Sequence, residues 1–204
     1  MRAIVVRVAR PFRHQVDEGI LDRAAALFAR GGFAKTSVQD VAGAVGLSKA
    51  GLLHHFRSKD ALHEAVLAQA DTLGRQVLAE VGDLPAGAAR DVRAVEVLVD
   101  VALAHPGMVA LLLAPATRPG DEDDRSSATS ELVLRAFDVD LATTEPQRVV
   151  RVLGALAALA VLTLAAHQQD RTTAWRPHVV ATCTDALGHR SPGAARPHPE
   201  QAEA

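Results

Sequence analysis

Apolar residues recur along this chain at intervals of three and four, the period of helices that bury one stripe. Ile20, Leu21, Ala24, Leu27 and Phe28 form such a stripe on a segment predicted to run from His14 to Arg30. Gly31-Gly32 stops it, because glycine accepts the left-handed conformation that often ends a helix, and Phe33 is expected to fold back onto the stripe. Val38, Val41, Ala42 and Val45 make the inner face of a short second helix. Thr36 or Ser37 caps it, and Thr36-x-x-Gln39 has capping-box spacing. Gly46 turns the chain, and Ser48 caps a third short helix to about His55. Leu52 and Phe56, four apart, point into a small core. Ser58 caps a longer helix, with Asp60 in its first turn. Leu62, Val66, Leu67, Leu73 and Val77 carry this helix to about Val81.

Gly82 to Gly87 reads as a linker with Pro85, and helical spacing resumes from Ala89 to Ala104. Pro106 begins a short helix to Leu113, which Pro115 is expected to close. Residues 115–125, with two prolines, a glycine and the run Asp121-Glu122-Asp123-Asp124, read as a solvated loop. The acidic run sets no ligand geometry, so no metal site is predicted. Helices follow at Ser127–Ala142, from Glu145-Pro146 to near Gln169, and from Ala174 to Gly188 with Trp175 near its start. Val152 to Ala166 is the longest apolar run, shorter than the ~20 residues of a membrane-spanning helix, and predicts a helix buried on all sides. Residues 191–204, with three prolines and few apolar groups, are expected to be disordered.

Composition sharpens this into an all-α fold. Hydrophobic residues make up 49% of the 204, enough for a core, while aromatic residues are 3%. Alanine and leucine dominate over β-branched runs. The single cysteine, Cys183, forms no disulfide within the chain and builds no thiolate zinc cluster, which fits a reducing cytoplasm. Met1 to Arg13 lacks the continuous apolar stretch of a signal peptide. The formal charge of −2 hides an asymmetry. Residues 1–65 hold 10 Lys and Arg against 6 Asp and Glu, and the remainder holds 12 against 18. A basic amino-terminal module on an acidic body implies a polyanionic partner for the first part. Arg2, Arg7, Arg10 and Arg13 form a basic arm able to track phosphates.

Residues 36–57 carry the most chemistry. Two short helices joined at Gly46, with Ala42 small where they cross, make a helix-turn-helix whose second helix presents its start to the major groove. Hydroxyls, amides and cations around such a turn bind phosphate oxygens and base edges. The residues placed to do so are Lys35, Thr36, Ser37, Ser48, Lys49, Ala50, Gly51, Leu53, His54, His55 and Lys59.

Thr36-Ser37-Val38-x-Asp40-Val41-Ala42, Gly46-Leu47-Ser48-Lys49, Leu52-x-His54-His55-Phe56 and Ser58-Lys59-Asp60-Ala61-Leu62 together resemble the DNA-binding domain of TetR-type transcriptional regulators. The resemblance covers about residues 17–65, and the rest agrees only in outline. It implies an amino-terminal three-helix head and a larger carboxy-terminal helical domain. It further implies a homodimer that binds a double-stranded, palindromic operator, most often as a repressor, and that an unknown small-molecule effector releases. On this template Lys35, Thr36 and Ser37 lie near phosphate, Ser48 to His54 form the reading helix, and the helix from Ser58 links pocket to head. The family commonly has a tyrosine where this chain has Leu53, so one backbone contact is lost and its burden shifts to His54 or His55.

The expected organisation is a basic arm at 1–14, the helix-turn-helix at 15–57, an effector-binding and dimerisation domain at 58–190, and the tail at 191–204. The helices near 146–169 and 174–188 supply the dimer interface. His105, Met108, Leu112, Phe137, Leu159, His167 and Trp175 are candidate pocket residues. The competing readings are an enzyme and a helical protein-interaction module with a degenerate DNA-binding head. Motifs argue against the first. His63-Glu64 is followed by Leu67 where a zinc protease needs histidine. Gly46-x-Ser48-x-x-Gly51 has one residue too many for a nucleophile elbow. There is no phosphate loop and no dinucleotide fingerprint, so no catalytic residue, metal or cofactor is predicted.

Overall fold

The computed structural model describes residues 9–117 and 124–189. Those residues form nine helices and no strand. The head contains α1 (Ala9–Gly31), α2 (Val38–Ala44) and α3 (Lys49–His55), and the long α4 (Lys59–Val81) leads away from it. The body adds α5 (Ala88–Ala104), α6 (Pro106–Thr117), α7 (Asp124–Ala136), α8 (Pro146–Gln168) and α9 (Thr172–Ala186).

Local chemistry accounts for most of these boundaries. Ser37, Ser48 and Ser58 each sit in extended backbone and accept a backbone N–H from the first turn of the following helix. Gly46 has φ +71, a conformation side-chain-bearing residues avoid, and the α2–α3 turn requires it. Pro146 opens α8 at a position where no backbone donor is needed.

Several boundaries differ from the sequence expectation, among them the start of α7 at Asp124 and not Ser127 and the span of α9 at Thr172–Ala186 and not 174–188. α1 starts at Ala9 and not near His14, so part of the expected arm at 1–14 is helical. Pro11 falls in its first turn, where the missing N–H breaks no ladder bond. The capping box at α2 pairs Ser37 with Asp40, not Thr36 with Gln39. α6 continues past Pro115 to Thr117, since proline's fixed φ is helical and only one ladder bond is lost near the end. α7 ends at Ala136 and not at Ala142. There Asp138 takes φ 55, Val139 N–H bonds Leu134 carbonyl at 3.1 Å, and Asp138 N–H bonds Arg135 carbonyl at 3.0 Å. This double closure reverses the chain and buries Val139. Residues 1–8, 118–123 and 190–204, and with them most of the expected arm, loop and tail, lie outside the described residues.

Two apolar clusters form the core. The body cluster joins Val77, Val95, Val99, Phe137, Val152, Val179 and Leu187 from six segments. The head cluster joins Ile20, Ala24, Phe28, Val41, Leu52, Leu62 and Val66, and then extends to Ala70, Leu73 and Met108. The head core thus reaches beyond residue 57, along α4 and into α6. α1 packs most extensively against α6, a body helix.

A buried ionic knot holds the far end of the body. Asp91 on α5 is 1% exposed. Its carboxylate accepts two N–H bonds from Arg148 on α8, at 2.7 and 2.6 Å, and lies 2.6 Å from His189 Nε2. Arg90 beside it donates to the carbonyls of Val81, Leu84 and Ala136. The C-terminal carbonyls of α4 and α7 are satisfied this way.

α8 differs from the expectation of a helix buried on all sides. Val150, Leu153 and Val161 are 67%, 46% and 62% exposed, while Val152, Ala155 and Leu159 are buried. By length and composition its 23 residues suffice to cross a membrane, though a third of its most apolar window is buried inside the fold.

Candidate nucleic-acid interface and effector cavity

α3 is held on the head from beneath. Leu52 is 1% exposed and anchors it in the head core. At its end, His55 Nδ1 lies 2.7 Å from Asp17 Oδ1 on α1, tying the helix across the head. The residues left on its outer side are Ser48, Lys49, Ala50 and His54, all exposed, with Gly51 and Leu53 half-buried. Lys35 and Ser37, on the approach to α2, are exposed as well. Ser37 donates its backbone N–H to Asp40 Oδ2 at 2.8 Å. The hydroxyl and backbone of Ser37 hold the Asp40 carboxyl below its usual range.

Three residues placed at phosphate by the sequence have internal partners. Thr36 is buried, and its hydroxyl donates to Gly32 carbonyl at 2.9 Å, closing the end of α1. His55 is engaged with Asp17. Lys59 Nζ donates to Phe33 carbonyl at 2.9 Å and stands 4.2 Å from the Phe33 ring centroid. Phe33 in turn packs against Phe28 and His63. Lys59 therefore fastens the α1–α2 turn to the start of α4. Arg57, exposed between α3 and α4, is a cation the motif reading passed over. Its signal was its place two residues after the reading helix.

A cavity of about 330 Å³ lies in the body, walled by α4, α5, α6, α7 and α8. Of the seven candidate pocket residues, His105, Met108, Leu112 and Leu159 line it. The other three lie elsewhere. Phe137 is 1% exposed in the body core, His167 Nε2 donates to Leu103 carbonyl at 2.7 Å, and Trp175 packs against the outside of the body cluster. The sequence marked these residues as candidate lining without saying which interior they face.

The head and the cavity wall meet at α6. Met108 belongs to both the head core and the cavity lining. Asp22 on α1 caps the first turn of α6 across the interface. Its Oδ1 accepts the Met108 backbone N–H at 3.1 Å. The approach is so close that a Cβ added to Gly107 would stand 1.8 Å from the Asp22 carbonyl oxygen. Sequence reasoning missed this pair, because no local pattern links residues 22 and 107.

Residues 20–66 match the family of bacterial regulatory proteins, tetR family. The head is similar to that family. The tetR match ends within α4, so it covers the helix-turn-helix and the start of the connecting helix. No curated protein matches the chain. Among solved structures, the fold is similar to that of a protein from Rhodococcus sp. assigned to the TetR family of transcriptional regulators, with a TM-score of 0.51 and 18% identity over 85% of this chain and 98% of that one. Looser likenesses are to the fatty acid degradation regulator FadR from Bacillus halodurans, with a TM-score of 0.47 and 14% identity over 88% and 99% of the two chains. A transcriptional regulator from Streptomyces coelicolor has a TM-score of 0.42 and 20% identity over 86% and 96%. The chain has the fold of a TetR-family transcriptional regulator, with an amino-terminal helix-turn-helix head and a larger helical body.

Proposed function

We propose that the protein is a homodimeric, effector-responsive transcriptional regulator, acting as a repressor, that reads a palindromic operator through α3. The observation that carries this reading is the outer side of α3, where Lys49 and His54 are exposed on a helix pinned beneath by Leu52 and by the His55–Asp17 pair. Lys35, Ser37, Ser48, Ala50, Gly51 and Leu53 complete the contact surface. Lys59, Thr36 and His55 serve it by holding the head in shape.

The exposed apolar side of α8 supports the dimer. Val150, Leu153 and Val161 share one face of the helix with Ala157, at spacings of three, four and four. α9 packs alongside α8, and the two helices of each subunit would form a four-helix interface. Such a dimer places two heads on half-sites about one helical turn apart, or a multiple of it.

Selection of bound fragments from random duplex DNA, followed by anisotropy titration of the recovered site, tests the reading. Lys49→Ala and His54→Ala should each weaken binding about tenfold or more while leaving the helical circular dichroism unchanged. Wild-type affinity should fall steeply with salt, as for any interface that displaces counterions. Recovery of no sequence, or full affinity in both variants, would sink the assignment of α3.

A further inference from the structure

We propose that the body cavity takes an uncharged, chiefly aliphatic molecule of medium length, with its one polar group at the His105 end. This rests on the reading of the chain as an effector-responsive regulator, and it names the class of effector.

The wall is unusual in what it lacks. Among its described residues there is no Asp, Glu, Lys or Arg, and no Asn or Gln. Only His105, Thr129 and Ser130 bring polar side chains, and every other residue is alkyl, thioether or glycine. A ligand bearing a fixed charge would leave water without a counter-charge to meet it, which costs several kcal/mol. Phe and Trp are also missing from the described wall, so the His105 imidazole is the one ring there on which a planar group could stack. What remains is a leucine- and alanine-rich lining suited to a saturated chain or ring. The volume of about 330 Å³ is near the low end of the ~300–1,000 Å³ typical of small-molecule sites, which limits the chain to medium length.

Position fixes the polar end. His105 stands at the bend where α5 and α6 meet at 105°. Thr129 and Ser130 already have interactions of their own, so the imidazole is the group that receives a hydroxyl, carbonyl or ester. At the α8 side Leu153 and Ala157 are exposed and also line the cavity. They lie on the face that a partner subunit would cover, so that end of the cavity is alkyl as well.

Calorimetric titration of the full chain with decanol, decanoate and decyltrimethylammonium, all below micelle-forming concentrations, tests this. Decanol should bind at least about tenfold tighter than either ion and raise the melting temperature by ligand linkage. Leu112→Trp and Val133→Trp, which fill the cavity from two different helices, should each lower decanol affinity about tenfold or more. Circular dichroism shows which of the two keeps its fold, and either suffices. His105→Leu should weaken decanol several-fold and leave decane unaffected. The proposal is overturned if an ion binds as tightly as decanol, if decanol does not bind, or if a folded, filled variant retains full affinity. Operator binding measured in parallel separates the two readings. Decanol that binds without altering DNA affinity refutes effector control and leaves the ligand class standing. DNA binding in a protein that ignores decanol does the reverse.

Discussion

Gly107→Ala should strain the junction between head and cavity. The new Cβ would lie 1.8 Å from the Asp22 carbonyl oxygen and 2.7 Å from its carbon. Both are backbone atoms, so no rotamer change relieves the clash. α6 must retreat from α1 by about an ångström or more, since packed atoms sit ~3.5 Å apart. Retreat of that size stretches the Met108 N–H to Asp22 bond from 3.1 Å beyond hydrogen-bonding range. It also draws Met108, 3% exposed, out of the head core. Overpacking costs about 1–3 kcal/mol, and loss of a helix cap about 1 kcal/mol, so the expected loss is about 2–4 kcal/mol. Asp22→Ala removes the cap alone and should cost about 1 kcal/mol. In the double variant the cap is already broken, so the second substitution should add little. Urea unfolding of the four proteins, followed by far-ultraviolet circular dichroism, measures this cycle. A Gly107→Ala protein within about 0.5 kcal/mol of wild type, the usual range for surface changes, would refute the reasoning. So would strict additivity of the two substitutions.

Three further outcomes follow from features elsewhere. Val161→Glu, at a position 62% exposed, should leave the monomer folded but shift the protein from dimer to monomer in sedimentation, because an unpaired carboxylate would be buried at the interface. Asp91→Ala should destabilise by about 3 kcal/mol in the same urea assay, at the low end for a broken buried pair, because Arg148 and His189 are 26% and 28% exposed and recover some water. Cys183 is fully buried and burial pushes its thiol up to about 11. Native protein should therefore stay unreactive to a thiol-specific disulfide reagent at pH about 8, where an ordinary thiol near 8.5 is partly ionised, and should react on addition of urea.

The parts of the fold visible in the sequence are those decided within a few residues. Ser48 and Ser58 cap what they were expected to cap, Gly46 turns the helix pair, and Pro146 opens α8. Close alternatives are harder. Thr36 and Ser37 both suit a cap, and burial of the Thr36 hydroxyl against Gly32 decides for Ser37. Continuous helical spacing hides the end of α7, where an aspartate takes the left-handed turn more often given to glycine. The candidate site shows the same division. Lys49 and His54 were legible as candidates from the helix-turn-helix pattern, and both are exposed. The ties of Lys59 to Phe33, His55 to Asp17 and Asp22 to Met108 span 26, 38 and 86 residues. Pairings that distant leave no mark on local periodicity, which is why Lys59 and His55 read as DNA contacts and Asp22 drew no reading.

The knot at Asp91 also imposes an order of events during synthesis. Asp91 leaves the ribosome 57 residues before Arg148 and 98 before His189. Until both arrive its carboxylate has no partner and stays hydrated, so α5 cannot seat that face in a finished core. The helix-turn-helix waits only for Met108 on α6, since α1 to α4 bring together the other buried residues of its cluster. A nascent chain therefore carries a nearly assembled head while its body is still open, and the body closes only after the segment following α9 has emerged.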